Sequence, residues 1–472
     1  MARTSEKTLP ESVHFIGIGG VGMSGIARVA HDQGIHVSGS DLKESRYTKQ
    51  LEDAGIAVSI GHGPQNIPEG EPVVVVSTAI LDNNPELQEA KAQNLRIIHR
   101  AEMLAYLGVG LKTLAVAGTH GKTTTSSMLA HTLDALAYDP TFLVGGIVRA
   151  YGTNAHSGAG EYYVVEADES DKSFTYLDPY GVIVTNIEAD HLDHYGDLDE
   201  IYDKFREFIA SVPEDGIVVV CGDDAALARL AHAASAAPVI TYGCGEGNDA
   251  RVVRTETAGV GSTFTLRLPD GREIESAIKQ NPGIHNVLNG AAVLTLLNAL
   301  GVDAERAAQA LKDFAGVRRR FDLVGASNGV TVVDDYAHHP TEIAATIRAA
   351  KELDFDRIHV LFQPHRYSRV KLFTDVLKDE FGAAFDDADT VTFMDVFPAG
   401  ETPVPGINGK TFLNVVLEHD GHPEATYVPR RIDAPTTMAD IAEPGDLVIT
   451  MGAGDVTGIA PLLIDELSLR ER

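Results

Sequence analysis

The run GTHGKTTT, from Gly118 to Thr125, holds the clearest chemistry in the chain. Gly118 and Gly121 let backbone N–H groups close on phosphate oxygens, with Thr119, His120 and Thr124 completing the loop. Lys122 adds a cation, and the Thr123 hydroxyl can ligate the Mg2+ that accompanies a nucleoside triphosphate. The expected ligand is ATP. Two residues separate these glycines where the common phosphate loop has four, so the loop is a shortened form.

A second glycine cluster, Gly17, Gly19, Gly20 and Gly22, suits another phosphate-bearing ligand. Asp41 falls about where a dinucleotide-binding unit places its ribose-binding acid. Taken alone this cluster reads as a nicotinamide site, but an ATP loop elsewhere redirects it to the diphosphate of another nucleotide, such as a nucleotide-activated sugar. EADESD gathers Glu166, Asp168, Glu169 and Asp171, hard oxygen donors suited to magnesium. In NIEADHLDHYGD, Asp190, His191, Asp193 and His194 could suggest zinc; the nearby phosphate loop favours magnesium and phosphate, with His191 as the residue involved.

Four further places carry candidate residues. Asn286, at a helix start, offers an amide to a purine edge or serves as a cap. Arg320 in RRRFD either reaches a γ-phosphate or belongs to a solvated charge run. DDYAHHP ends a strand with Asp334, Asp335, His338 and His339, and QPHR ends another with His365 and Arg366, a clamp for carboxylate or phosphate.

The elements that position these groups alternate between strands and helices. Val13 to Gly34 reads strand, glycine turn, helix; HVSGSD is the next strand, and PVVVVSTAI brings Ser77 to the same crevice. TLAVAG is a buried strand feeding the phosphate loop, and EYYVVEAD, GVIVTNI, GIVVVCG and PVITYG continue a mostly parallel sheet. In LDEIYDKFREFIASV, Ile201, Phe205, Phe208 and Ile209 recur at helical spacing. Arg251 to Ser276 alternates in the manner of strands and predicts a small hairpin sheet at the side. A third α/β unit follows RRRFD. The predicted fold class is therefore α/β in three domains: a Rossmann-like 1–109, a central P-loop parallel-sheet domain 110–320, and a Rossmann-like 321–472.

Composition bounds the function. At 472 residues the chain suits roughly three domains of about 150 residues each. With 38 basic against 68 acidic residues, its net charge of -30 argues against nucleic acid or an anionic membrane as partner. Two cysteines, Cys221 and Cys244, fit a reducing cytoplasm. The leader lacks an apolar core, and no apolar run approaches the roughly 18 residues of a membrane span, so a chain neither exported nor embedded is expected.

Taken in order, GTHGKTTT, EADESD, NIEADHLDHYGD, the HN of Ile284 to Asn289, RRRF, DDYAHHP and QPHRYSR resemble the ATP-dependent Mur ligases of peptidoglycan synthesis, over Val13 to about Ile464. GIGGVGMSG, EADESD and QPHR resemble the branch that joins L-alanine to UDP-N-acetylmuramate; the alternative is the recycling branch, which adds a tripeptide. The resemblance implies an N-terminal domain for UDP-N-acetylmuramate, a central one for ATP and a C-terminal one for the amino acid, in a monomer or homodimer. Lys122 would neutralise the β- and γ-phosphates, Thr123 and Glu166 would hold magnesium, and His191 a second metal near an acyl phosphate. Asn286 would meet the adenine, Arg320 the γ-phosphate and Asp335 the ATP ribose region.

Overall fold

The structure is a computed structural model that describes residues 8–169, 173–188, 198–370 and 372–470. The chain divides into two compact units: Met1–Val253 with Thr265–Glu275 and Leu288–Phe314, and Arg254–Phe264 with Ser276–Val287 and Ala315–Arg472. Among the described residues there are three β-sheets.

The first sheet is built from β1 (Ser12–Ile16), β2 (His36–Asp41), β3 (Ala57–Ile60), β4 (Val73–Val76) and β5 (Ile97–His99). Its order, β3-β2-β1-β4-β5, is parallel throughout and reverses direction of growth at β1, so the crevice beyond β1 and β4 is a topological switch point. Helices α1 (Val21–Asp32), α2 (Arg46–Asp53), α3 (Pro85–Ala92) and α4 (Arg100–Tyr106) connect these strands or follow them. Met23, Ile26, Ala27, Val29 and Ala30 form the buried stripe of α1, which anchors the glycine turn that precedes it.

Under that turn lies a buried polar network. The Glu86 carboxylate, with no exposed surface, accepts from Ser40 Oγ at 2.5 Å, Gly63 N at 3.0 Å and Asn66 Nδ2 at 2.5 Å, and lies 3.3 Å from His14 Nε2. Burial pushes its pKa up, but the bonds from His14, Ser40, Asn66 and Gly63 together outweigh burial and hold it at about 2. Depression from 4.5 to about 2 is worth about 3 kcal/mol, present above pH 4.5 and lost as pH falls towards 2. Glu86→Gln is expected to lower stability by about that amount at pH 7 and to flatten the acid limb of the stability curve between pH 4.5 and 2. Urea titrations across that window check both.

The central sheet runs β15-β14-β13-β12-β11-β10-β6-β9-β7-β8. Its members are β6 (Lys112–Ala117), β7 (Thr141–Val148), β8 (Thr153–His156), β9 (Tyr162–Glu166), β10 (Gly181–Val184), β11 (Ile217–Cys221), β12 (Val239–Gly243), β13 (Ala250–Ala258), β14 (Gly261–Arg267) and β15 (Glu273–Ile278). The expected small side sheet is corrected here: β13 pairs in parallel with β12 through Tyr242 and Gly243, so the last strands extend the main sheet. Helix α5 (Lys122–Ala135) follows β6, and α6 (Leu198–Ala210) buries Ile201, Phe205, Phe208 and Ile209, the four residues picked out by spacing. Each such side chain contributes about 1.5–3 kcal/mol of burial. Helices α7 (Ala225–Ala234), α8 (Ile284–Ala299) and α9 (Ala304–Leu311) complete this part.

The third sheet, β16-β17-β21-β18-β19-β20, comprises β16 (Asp322–Ser327), β17 (Val330–Asp335), β18 (Ile358–Phe362), β19 (Thr390–Met394), β20 (Glu424–Val428) and β21 (Leu447–Met451). Only the β16–β17 pair is antiparallel. Helix α10 (Pro340–Lys351) begins with proline, which fixes φ for the first turn without losing a needed donor. Among the described residues no helix is long and apolar enough to cross a membrane.

Candidate active site

Strand β6 is fully apolar from Leu114 to Ala117, because parallel strands are covered on both faces, and it delivers the chain directly into the phosphate loop. Gly118 adopts φ +130°, and a Cβ there would stand 2.1 Å from Thr185 Oγ1, so both conformation and space require glycine. The loop is pinned from the end of β10: Asn186 Oδ1 accepts from His120 N at 2.8 Å, and Thr185 Oγ1 donates to His120 O at 2.6 Å. Gly121 at the head of α5 has no side-chain cap, which leaves the first N–H groups of that helix facing the loop.

Charged and polar groups meet there. Thr123 Oγ1 donates to Glu166 Oε1 at 3.0 Å, and Gly145 N donates to Glu166 Oε2 at 2.6 Å. Burial raises the Glu166 pKa, with Lys122, Gly145 N–H and Thr123 opposing without cancelling it. Lys122 Nζ donates to Gly118 O at 2.6 Å, Thr119 O at 3.1 Å and Glu169 Oε1 at 2.8 Å. Asp168 faces Arg100 at 3.7 Å. His120 Nε2 lies 3.4 Å from Glu188. Asp171, Asp190, His191, Asp193 and His194 lie outside the described residues, so the proposed role of His191 has no geometry here.

In the N-terminal sheet, Gly17 N and Ile18 N both donate to Ser40 O, folding the glycine turn over the end of β2. Asp41 Oδ2 accepts from Gly19 N at 2.9 Å, so the acid expected at a ribose also shapes the turn. A Cβ on Gly19 would come within 2.8 Å of Thr48 and 2.9 Å of Asp41, whereas Gly20 and Gly22 have room. The turn that begins at Ser77 brings Ile80 against Gly17, placing both at one crevice.

The second unit gathers its own cluster. The His338 ring lies 5.3 Å from Tyr336 and 6.0 Å from His365, which stacks on Phe397 at 5.8 Å and 11°. Arg319 and Arg320 both lie over the Tyr336 ring, at 4.8 and 5.2 Å. Glu342 Oε2 accepts from His338 N at 3.2 Å, and Arg320 stands 3.7 Å from Glu342. Burial, then Arg369 and Arg366, lowers the His365 pKa to about 4, so its imidazole is neutral at physiological pH. Arg366 is exposed on a left-handed backbone at φ +69°.

Two further candidates are held by bonds to their own surroundings. The carboxylate of Asp335 is buried and accepts from Phe321 N at 2.7 Å and Ala337 N at 2.8 Å, bonds that tie its own loop together. Asn286 is inside the first turn of α8, not its cap, and its Nδ2 donates to Pro282 O at 2.9 Å. Several contributors escaped the sequence reading: Asn186 and Thr185 at the loop, Tyr336 beneath two arginines, and Arg319, whose Nη2 donates to Gly452 O and Gly454 O at 2.6 and 3.0 Å. TNI directly after an apolar strand was the available signal for the first pair.

A shortened phosphate loop at the end of a parallel strand, its threonine bonded to a half-buried carboxylate, defines an α/β enzyme that uses a nucleoside triphosphate. Comparison narrows the class. The chain belongs to the Mur ligase family: residues 12–109 match "Mur ligase family, catalytic domain", 116–297 "Mur ligase middle domain" and 319–454 "Mur ligase, glutamate ligase domain". It is 44% identical over 460 residues to a UDP-N-acetylmuramate–L-alanine ligase of Bradyrhizobium sp. (strain ORS 278), covering 96% of this chain and 97% of that one. The crystal structure of UDP-N-acetylmuramate-alanine ligase MurC from Thermotoga maritima superposes with a TM-score of 0.79 at 29% identity, over 97% and 99% of the two chains. A murein peptide ligase from Psychrobacter arcticus gives 0.70 at 25%, over 97% and 98%.

Proposed function

We infer that this chain is an ATP-dependent ligase that forms an amide bond between the carboxylate of UDP-N-acetylmuramate and the amine of L-alanine, in peptidoglycan precursor synthesis. The observation that carries this reading is full-length identity of 44% to a protein with that activity. The chemistry is consistent. A carboxylate is a poor electrophile; transfer of the γ-phosphoryl group gives an acyl phosphate and ADP, and the amine then displaces phosphate.

We assign Lys122, on the phosphate loop, to neutralising charge on the transferring phosphoryl group. Thr123 and Glu166 present a hydroxyl and a half-buried carboxylate 3.0 Å apart, a hard-oxygen pair that fits magnesium. That ion, when bound, would supply charge neutralisation at the phosphates. We assign Gly17, Gly19, Gly20, Gly22, Asp41 and Ser77 to the UDP-linked substrate at the switch point of the first sheet. His338, His365 and Arg366 we assign to the amino acid: the guanidinium suits its carboxylate, and a neutral imidazole can accept a hydrogen bond from its amine. Domain boundaries near 110 and 320 and a cytoplasmic location complete the proposal; both cysteines are free thiols, as a reducing compartment allows.

Phosphate release from ATP, magnesium and UDP-N-acetylmuramate tests the reading. It is expected to depend on L-alanine; dependence on an L-Ala-D-Glu-diaminopimelate tripeptide instead would move the chain to recycling.

A further inference from the structure

The assigned chemistry leaves a buried carboxylate beside the phosphate loop unused. Glu169, only 3% exposed, is directed at the phosphate-loop lysine, its Oε1 2.8 Å from Lys122 Nζ. The remaining two bonds of that ammonium go to Gly118 O and Thr119 O, the carbonyls of the loop itself. All three donors of Lys122 are therefore engaged. A lysine arranged this way points back into its own loop.

We propose that Glu169 is the positioning residue for Lys122, holding its ammonium on the loop carbonyls until an entering nucleotide phosphate takes it over. The inference rests on the reading of Lys122 as the phosphate-binding lysine. Two features of the pair support it. Glu166, three residues earlier, is bonded to Thr123 and Gly145, whereas Glu169 is bonded to Lys122, so the two carboxylates divide the work. The pair is also shut away from water, with side chains 13% and 3% exposed, so desolvation of both charges offsets much of their attraction. Such a pair can be exchanged for a better partner. A nucleotide diphosphate offers Lys122 more negative charge than one carboxylate does.

Binding is then reduced by the fraction of molecules in which Lys122 is free. Removing the charge at Glu169 raises that fraction. The test measures the affinity of ADP with Mg2+ by titration calorimetry in the wild type, Glu169→Gln, Lys122→Met and the double variant. Glu169→Gln is expected to bind ADP about tenfold more tightly, and this gain is expected to vanish when Lys122 is already Met. Glu169→Asp retains the charge on a shorter arm and is expected to fall between the wild type and Glu169→Gln; it replaces Glu169→Gln in the cycle if the latter is not soluble.

An affinity within twofold of wild type, or weaker with an unchanged melting temperature, overturns the proposal. So does a gain that persists in full beside Lys122→Met, since Glu169 would then act on the nucleotide directly. If Lys122→Met itself binds ADP as the wild type does, the reading of Lys122 fails instead.

Discussion

Lys122→Met is expected to reduce ATP-dependent amide formation by about a thousandfold while UDP-N-acetylmuramate still binds, on the scale of removing a group that meets developing charge. Phosphoryl transfer involves little covalent work for the protein, so rate comes from positioning and charge neutralisation. Lys122 is the first residue of α5, held by three acceptors at the loop, and Met is close to it in length without the charge. The glycine turn at Gly17 belongs to a different sheet, which is why the UDP-linked substrate should bind the variant normally. Steady-state turnover and calorimetric titration of that substrate separate the two effects. Near-normal turnover would remove Lys122 from the chemistry.

Glu166→Gln should have an effect of similar size by another route. Gln keeps the volume and can still accept from Gly145 N, but it removes the charge that pairs with a cation next to the Thr123 hydroxyl. Turnover is expected to fall about a hundredfold or more, with the magnesium concentration for half-maximal activity rising at least severalfold. Raising magnesium should recover part of the loss in this variant and none of it in Lys122→Met. An unchanged magnesium dependence would assign Glu166 a purely structural role in holding β7.

The parts of this site that were legible in the sequence are those whose cause is local. A shortened glycine loop between an apolar strand and a helix needs no distant partner to be recognised, and the stripe of Ile201, Phe205, Phe208 and Ile209 follows from helical period alone. Glu86 shows the opposite case. It stands second in a helix after Pro85, capped by Asn84, where an acid is favoured at the surface by the helix dipole. Its burial depends on His14, Ser40 and Asn66, on three other elements, and nothing in its neighbourhood in sequence announces them.

Long-range pairing decides other features in the same way. Alternation from Arg251 onward identified strands correctly, but whether they form their own sheet depends on Tyr242 and Gly243 accepting β13 as a neighbour. Asp335 was recognisable as an acid at a strand end; that Phe321 N and Ala337 N claim its oxygens could not be read from spacing. EADESD pointed to metal chemistry as a group, whereas the structure gives its two described glutamates separate partners, Thr123 for Glu166 and Lys122 for Glu169.

The central claim is that the substrate carboxylate itself receives the phosphoryl group. UDP-N-acetylmuramate carrying 18O in that carboxylate, incubated with ATP, magnesium, L-alanine and the protein, tests it by mass spectrometry of the products. One 18O per turnover is predicted to appear in the released inorganic phosphate and one to remain in the new amide; phosphate free of label would contradict the acyl-phosphate route and the roles assigned to Lys122 and Glu166 within it.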